Sequence, residues 1–182
     1  MRKVIYSMGV SLDGYIAGPG GDFDWAAPDD ELHRFHNEQA RELSAHLIGR
    51  RLYETMVYWE TAGQDPELGE TEREFARIWQ ALPKIVFSTT LDAVEGNARL
   101  ATGSLADEIT GLDGDVAVGG AGLAATATDL GLIDEYGLLV NPVVVGGGTP
   151  FFPPHHHIDL ELVETRTFGS RVTYLRYRTA GH

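Results

Sequence analysis

The chain has no cysteine among its 182 residues. That excludes thiol nucleophiles and disulfide staples, and with them the zinc chemistry of deaminases, which needs an H-x-E paired with P-C-x-x-C. It carries no information about redox compartment. Basic residues are also scarce, 14 Lys and Arg against 27 Asp and Glu, for a formal net charge of −13. Nucleic acid is not expected as a partner, because a phosphate backbone needs a basic face. A small phosphorylated ligand needs only a local basic spot and backbone N–H groups, so it stays open. No apolar run approaches the about 20 residues of a membrane-spanning helix. The opening MRKVIYSMGV is too short and too polar for a signal segment, so the expectation is a cytoplasmic protein with no membrane partner. G-x-S-x-G is missing, which removes the usual serine-hydrolase elbow. Repeats and low-complexity linkers are missing too, and residues 1–182 read as one domain, long enough to bury a core without staples.

What the chain does have is glycine at the ends of short apolar runs. The stretch from Asp115 to Phe152 is organised around it. Val116 to Val118 reads as a strand running into Gly119-Gly120-Ala121-Gly122. A helix of small residues follows from Leu123 to Leu130, stopped by Gly131. Strands are expected at Tyr136 to Val140 and at Val143 to Val145, the latter ending in three glycines. Strand, glycine turn, helix, strand is the βαβ unit of a parallel sheet. The glycines let backbone approach a ligand, and the next helix would turn its free N–H groups toward a phosphate. The spacing is not the G-x-G-x-x-G of a Rossmann fold, and the same pattern also suits a plain tight turn.

Elsewhere, Val4 to Val10 reads as a buried strand, followed by a long glycine-rich loop from Ser11 to Gly21. Pro28, Asp29, Asp30 and Glu31 mark a helix start, with Leu32, Phe35, Gln39 and Leu43 on one side and His36 beside them. His46 to Gly49 is a short strand, and a helix restarts at Arg50. Glu72 to Leu82 is amphipathic, Lys84 to Ser88 a strand, and Asn97 to Ala101 a short one. Ser104 and Asp107 open a helix to Leu112. Asp159 to Phe168 and Arg171 to Arg178 alternate as a hairpin, with Leu160 and Leu162 facing inward. Asp134 and Glu135 read as a solvated turn, and His155-His156-His157 as a surface loop rather than a metal site. Phe151 and Phe152 suit either core closure or a contact with a second copy.

These segments resemble, in order and over nearly the whole chain, the dihydrofolate reductase-like superfamily, and most closely the reductase domain of the bifunctional deaminase-reductase of riboflavin synthesis in a stand-alone form. The segments are SLDGYIA at Ser11 to Ala17, Asp24-Trp25, LIGRRLYE at Leu47 to Glu54, KIVFSTTL at Lys84 to Leu91, VGGAGL at Val118 to Leu123, GLIDEY at Gly131 to Tyr136 and PVVVGGGTPFF at Pro142 to Phe152. The resemblance implies a three-layer α/β fold with a mostly parallel twisted sheet, an antiparallel C-terminal edge hairpin and a homodimer. It implies NADPH as cofactor, with NADH the alternative. Gly49, Arg50 and Arg51 would hold the pyrophosphate and the 2′-phosphate, Ser88 and Thr89 the adenosine end, and Val118, Gly119, Gly120, Ala121, Gly122 and Leu123 the pyrophosphate and ribose. Two guanidiniums at the start of a helix are unfavourable without an anion to face. The family's Thr after the arginines is here Leu52, and its Arg after the strand serine is here Thr89, which takes weight from NADPH relative to NADH.

For the chemistry, the resemblance places Ile16 and Ala17 against the nicotinamide and Trp25 against substrate. Two carboxylates are candidates for assisting protonation: Asp13 of SLDG, matching the riboflavin-type reductases, and Asp30, matching the acid of dihydrofolate reductases. A half-buried carboxylate there would hydrogen-bond a ring N–H or hold a proton near neutrality. Either residue also suits an ordinary turn or helix start. The activity implied is hydride transfer to a small heterocycle or to a ribosylamino-pyrimidine, as in a 5-amino-6-(5-phosphoribosylamino)uracil reductase of riboflavin synthesis. Dihydrofolate reduction and a nucleotide-binding scaffold without catalysis are the alternatives.

Overall fold

The computed structural model describes residues 2–181. Strands are β1 Val4–Ser11, β2 Tyr15–Ala17, β3 Ala45–Gly49, β4 Lys84–Phe87, β5 Ala98–Leu100, β6 Val116–Gly119, β7 Glu135–Asn141, β8 Thr149–Pro150, β9 Leu160–Thr167 and β10 Thr173–Thr179. Helices are α1 Asp30–Arg41, α2 Arg50–Met56, α3 Glu70–Ala81, α4 Leu105–Thr110 and α5 Ala121–Asp129. Eight strands form one sheet in the order β5-β4-β3-β6-β1-β7-β10-β9. The first six are parallel, and β10 and β9 close the far edge antiparallel. The remaining two, β2 and β8, pair as a small antiparallel ribbon. This is the α/β architecture expected, with helices on both faces.

Strand alternation decides which helices go where. From β1, Val4, Tyr6 and Val10 join a core with Leu105 and Ile109 of α4 and Ala124 and Ala127 of α5. Phe151 closes this core, stacked on Tyr6 with ring centroids 4.4 Å apart. On the other face, Leu32 and Phe35 of α1 rest on Leu139 and Tyr174. Trp79 of α3 rests on Ile48 and Val86. The two helices are joined over the gap: the Asn37 amide donates to Thr71 O and Glu74 Oε2, both at 3.0 Å. They form an arch over β1 and β6, where the inward residues Ser7 and Ala117 are small.

Local capping agrees with the sequence. Asp29 caps α1, its carboxylate accepting from Leu32 N at 2.9 Å, and Ser104 and Asp107 form the capping box of α4. Glu108 of α4 is buried and accepts from the Arg99 guanidinium at 3.1 and 2.5 Å and from Thr102 N at 2.7 Å. The Arg99 hydrogen bonds, joined by those from the Thr102 and Gly103 amides, lower its pKa to about 2. A carboxylate with a depressed native pKa stabilises the fold above its unfolded value and loses that contribution as pH falls toward the native one. Urea midpoints of wild type and Glu108→Gln should therefore differ at neutral pH and converge between about pH 4.5 and 2. A difference that persists undiminished at the acid end would remove this ion pair as its source.

Several local expectations are corrected. Val143 to Val145 is not a strand: Pro142 ends β7, and Val143 O and Val145 N bond to the loop at Leu12 and Asp13. The loop from Ser11 to Gly21 contains β2. The expected βαβ unit from β6 through α5 to β7 is present in the parallel sheet, with β1 between its two strands. Leu162 does not face inward but is 56% exposed, on the outermost strand of the sheet. Glu135 is no solvated turn residue. It is buried, 2.8 Å from Lys3 Nζ and 3.4 Å from Arg176 Nη1.

Candidate functional site

Parallel strands deliver their carboxyl ends to one edge of the sheet, and three of the glycine or polar turns expected to act together meet there. Register pairs Ile48 with Gly119 and Gly49 with Phe87, so the turns after β3, β4 and β6 lie side by side. A Cβ placed on Gly120 would lie 3.7 Å from Gly49 N. Gly120 caps α5 with φ +92°, a left-handed conformation that favours glycine, and no side chain occupies the helix's free N–H groups. Around Gly49 and Gly122 a Cβ would meet nothing within 4 Å, which leaves the turn open to a ligand. Arg50 and Arg51 begin α2 on the exposed side. Arg50 Nη1 is 3.9 Å from Glu54, and Arg51 has no ion-pair partner among the described residues. Ser88 Oγ accepts from Thr90 N and Leu91 N at 3.1 and 3.0 Å, so it shapes its own turn, and Thr89 is exposed. Val118 and Leu123 turn their side chains into the α4/α5 core.

The two carboxylate candidates do not come together. Asp13 accepts from Ser11 Oγ at 2.6 Å, Gly146 N at 2.8 Å and Val145 N at 3.2 Å. The Ser11 hydroxyl first, then the two backbone N–H groups, hold its pKa below the usual carboxylate range. Asp13 thus clamps the end of β1 to the glycine turn after β7, an arrangement unsuited to a proton held near neutrality. Asp30 is exposed, paired with Arg34 and accepting from Thr71 Oγ1 at 2.5 Å. Trp25 is half-buried in a short 3₁₀ turn, its Nε1 without a partner in the protein. Ile16 and Ala17 sit on the ribbon beyond β1, Ile16 packed on the main core.

Under the arch of α1 and α3 lies a cavity of about 900 Å³. Trp59, Phe75 and Trp79 wall it, with the His33 ring edge-on to Trp59 at 6.0 Å. His33, His36 and His46 all line it. Burial brings His36 and His46 down to about 4, with repulsion from His33 and Lys84 adding to it, so both are neutral at pH 7. Burial also lowers His33, against the raising effect of Glu72 and Asp30. Between the cavity and the glycine turn stand Leu52 and His46, whose Cδ2 and Nε2 would be 2.4 and 2.8 Å from a Cβ on Gly119. Sequence reasoning noted only His36 on α1 and assigned none of these residues a role. The available signal was a set of histidines and tryptophans on the inner sides of two amphipathic helices, which reads equally well as core. Among the described residues no group of three His, Asp or Glu is placed to hold a metal ion, and no helix is long and apolar enough to cross a membrane.

Fold and site together define an α/β protein whose glycine turns meet at the strand carboxyl ends, with an aromatic cavity beneath α1 and α3. The chain belongs to the RibD C-terminal domain family, whose model matches residues 2–174. It is 31% identical to the uncharacterized protein YyaP of Bacillus subtilis (strain 168), over 99% of this chain and 96% of that one. Among solved structures it is similar to a protein of Shewanella sp. PV-4 named for riboflavin biosynthesis, with TM-score 0.74, 20% identity and coverage of 97% and 98% of the two chains. It is also similar to the dihydrofolate reductase of Enterococcus faecalis complexed with NADP(H), with TM-score 0.65, 14% identity and coverage of 98% and 96%. The likeness to both places the fold in the dihydrofolate reductase-like class.

Proposed function

We propose that the protein is a nicotinamide-dependent reductase of a small nitrogen heterocycle, taking NADPH in preference to NADH. The observation that carries this reading is the meeting of Gly49-Arg50-Arg51 with Gly119-Gly120 at the carboxyl ends of neighbouring strands. The dihydrofolate reductase of like fold binds NADP(H). The residues fit such a group: an uncapped helix start and open glycines for the pyrophosphate, and guanidiniums on the exposed side for a further phosphate. Bound there, the cofactor supplies the hydride. The chain's part is to orient the ring with Ile16 and Ala17, exclude water with the β2–β8 ribbon, and hold the acceptor in the cavity. With Asp13 clamped and Asp30 outside, water or the neutral imidazoles are the proton-handling groups nearest the cavity.

Calorimetric titration of NADPH and NADH tests the reading. NADPH should bind below millimolar concentration and more tightly than NADH. Failure of both to bind would end it.

A further inference from the structure

The glycines of the turn after β6 are glycines for different reasons. Gly120 has its left-handed φ, and Gly122 faces open space. Gly119 has neither property. It is the last residue of β6, its φ is not positive, and it pairs with Ile48 in the sheet. What it lacks is room. A Cβ on it would lie 2.4 Å from Leu52 Cδ2 and 2.8 Å from His46 Nε2, too close for a side chain to stand. Leu52 also reaches the next residue, since a Cβ on Gly120 would be 3.9 Å from Leu52 Cβ. Leu52 comes from α2 and packs against the buried cluster of Ile48, Tyr53, Trp79 and Val86. His46 comes from β3, its ring edge-on to Trp79 with centroids 5.7 Å apart. Burial, with Lys84 adding to it, keeps that ring neutral at pH 7. The turn therefore sits on two uncharged side chains, one of them from the helix that begins with Arg50 and Arg51.

We propose that Leu52, seated beside His46, is a positioning residue for the cofactor: it props Gly119-Gly120 from below and sets the start of α5 against Arg50 and Arg51. This role rests on the reductase reading and deepens it. N–H donors held at a fixed place need no reordering when an anion arrives, so support beneath the turn is felt as affinity. Leu52 stands where the resemblance expects a threonine hydroxyl on a phosphate. In this chain the position gives up that contact and holds the turn instead.

Calorimetric titration of NADPH and NADH into the full chain tests the role, and Leu52→Thr is the first variant because the two roles predict opposite signs. With the prop shortened, both cofactors should bind about fivefold to tenfold more weakly, by the same factor. Tighter NADPH binding would mean that position 52 acts by reaching phosphate, and overturns the proposal. Unchanged affinity in the folded variant overturns it too, because that is the result if Leu52 only fills the core. Leu52→Met refills the space and should bind within about threefold of wild type; a larger loss counts against the prop. A cycle with Gly119→Ala supplies the second outcome. Gly119→Ala and Leu52→Ala should each weaken NADPH by about tenfold, whereas the double variant, whose new Cβ takes the vacated space, should come within about threefold of wild type. Losses that multiply overturn the proposal. Urea midpoints show which variants are folded, and Leu52→Thr and Leu52→Met decide the matter if the alanine variants are not. Failure of the reductase reading is distinguishable: wild type then binds neither cofactor, and the proposal falls with it.

Discussion

Replacing Arg50 and Arg51 together by alanine is expected to weaken NADPH binding by about 100-fold and NADH binding by no more than about tenfold, at low salt. The asymmetry follows from what each guanidinium has to do. Both stand on the exposed side of α2, and the one ion pair recorded for them, Arg50 with Glu54, is at 3.9 Å. An exposed pair at that distance contributes little, so removing it should leave the urea midpoint unchanged. On the proposed function, their worth would lie in the phosphates of the cofactor, where a charge-assisted bidentate contact would form. NADH keeps the pyrophosphate, which α5's uncapped N–H groups would also serve, but lacks the 2′-phosphate. Titrations in 50 mM and 500 mM salt add a second check, since the NADPH advantage should shrink with screening. Equal losses for both cofactors would put the 2′-phosphate assignment in error. No loss for either would remove these arginines from the cofactor site altogether.

The second large effect is structural. Gly148→Ala is expected to destabilise the protein by about 2 kcal/mol or more and to reduce turnover at saturating cofactor. Gly148 has φ +120°, and a Cβ there would sit 2.1 Å from Ala17 O and 2.5 Å from Gly18 C. Those atoms are backbone and cannot rotate away, so the β2–β8 pairing of Ala17 with Thr149 must open. That ribbon carries Ile16 and Ala17, the residues proposed to orient the nicotinamide. Gly146→Ala is the control. Its φ is +79° and a Cβ would meet nothing within 4 Å, so only the conformational cost of about 1 kcal/mol applies. Equal urea midpoints for the two variants would mean that close approach at Gly148 is not what holds the ribbon.

The glycine turns were legible because their chemistry is local. A turn that must reach positive φ or leave a helix start uncapped shows itself in a few adjacent residues, as at Gly119-Gly120. The amphipathic α3 and the capped α4 were legible for the same reason: side chains three or four apart share a face whatever lies opposite. Asp13 shows the limit. Its neighbours along the chain mark a turn, but its hydroxyl and N–H partners come from Ser11 and from Val145 and Gly146, more than 130 residues away. Those contacts turned a candidate proton carrier into a clamp, and removed Val143 to Val145 from the sheet.

Taken alone, the amino-acid order determined the α/β class, the positions of most strands and helices, and the three turns that meet at the strand carboxyl ends, since each follows from hydrogen bonding and periodicity within a short segment. Tertiary structure alone decided that β1 separates β6 from β7, that α1 and α3 arch over Ser7 and Ala117, and that His33, His36 and His46 share one cavity. These depend on which distant surfaces pack and on the charges left facing each other afterward, and no local pattern encodes that balance.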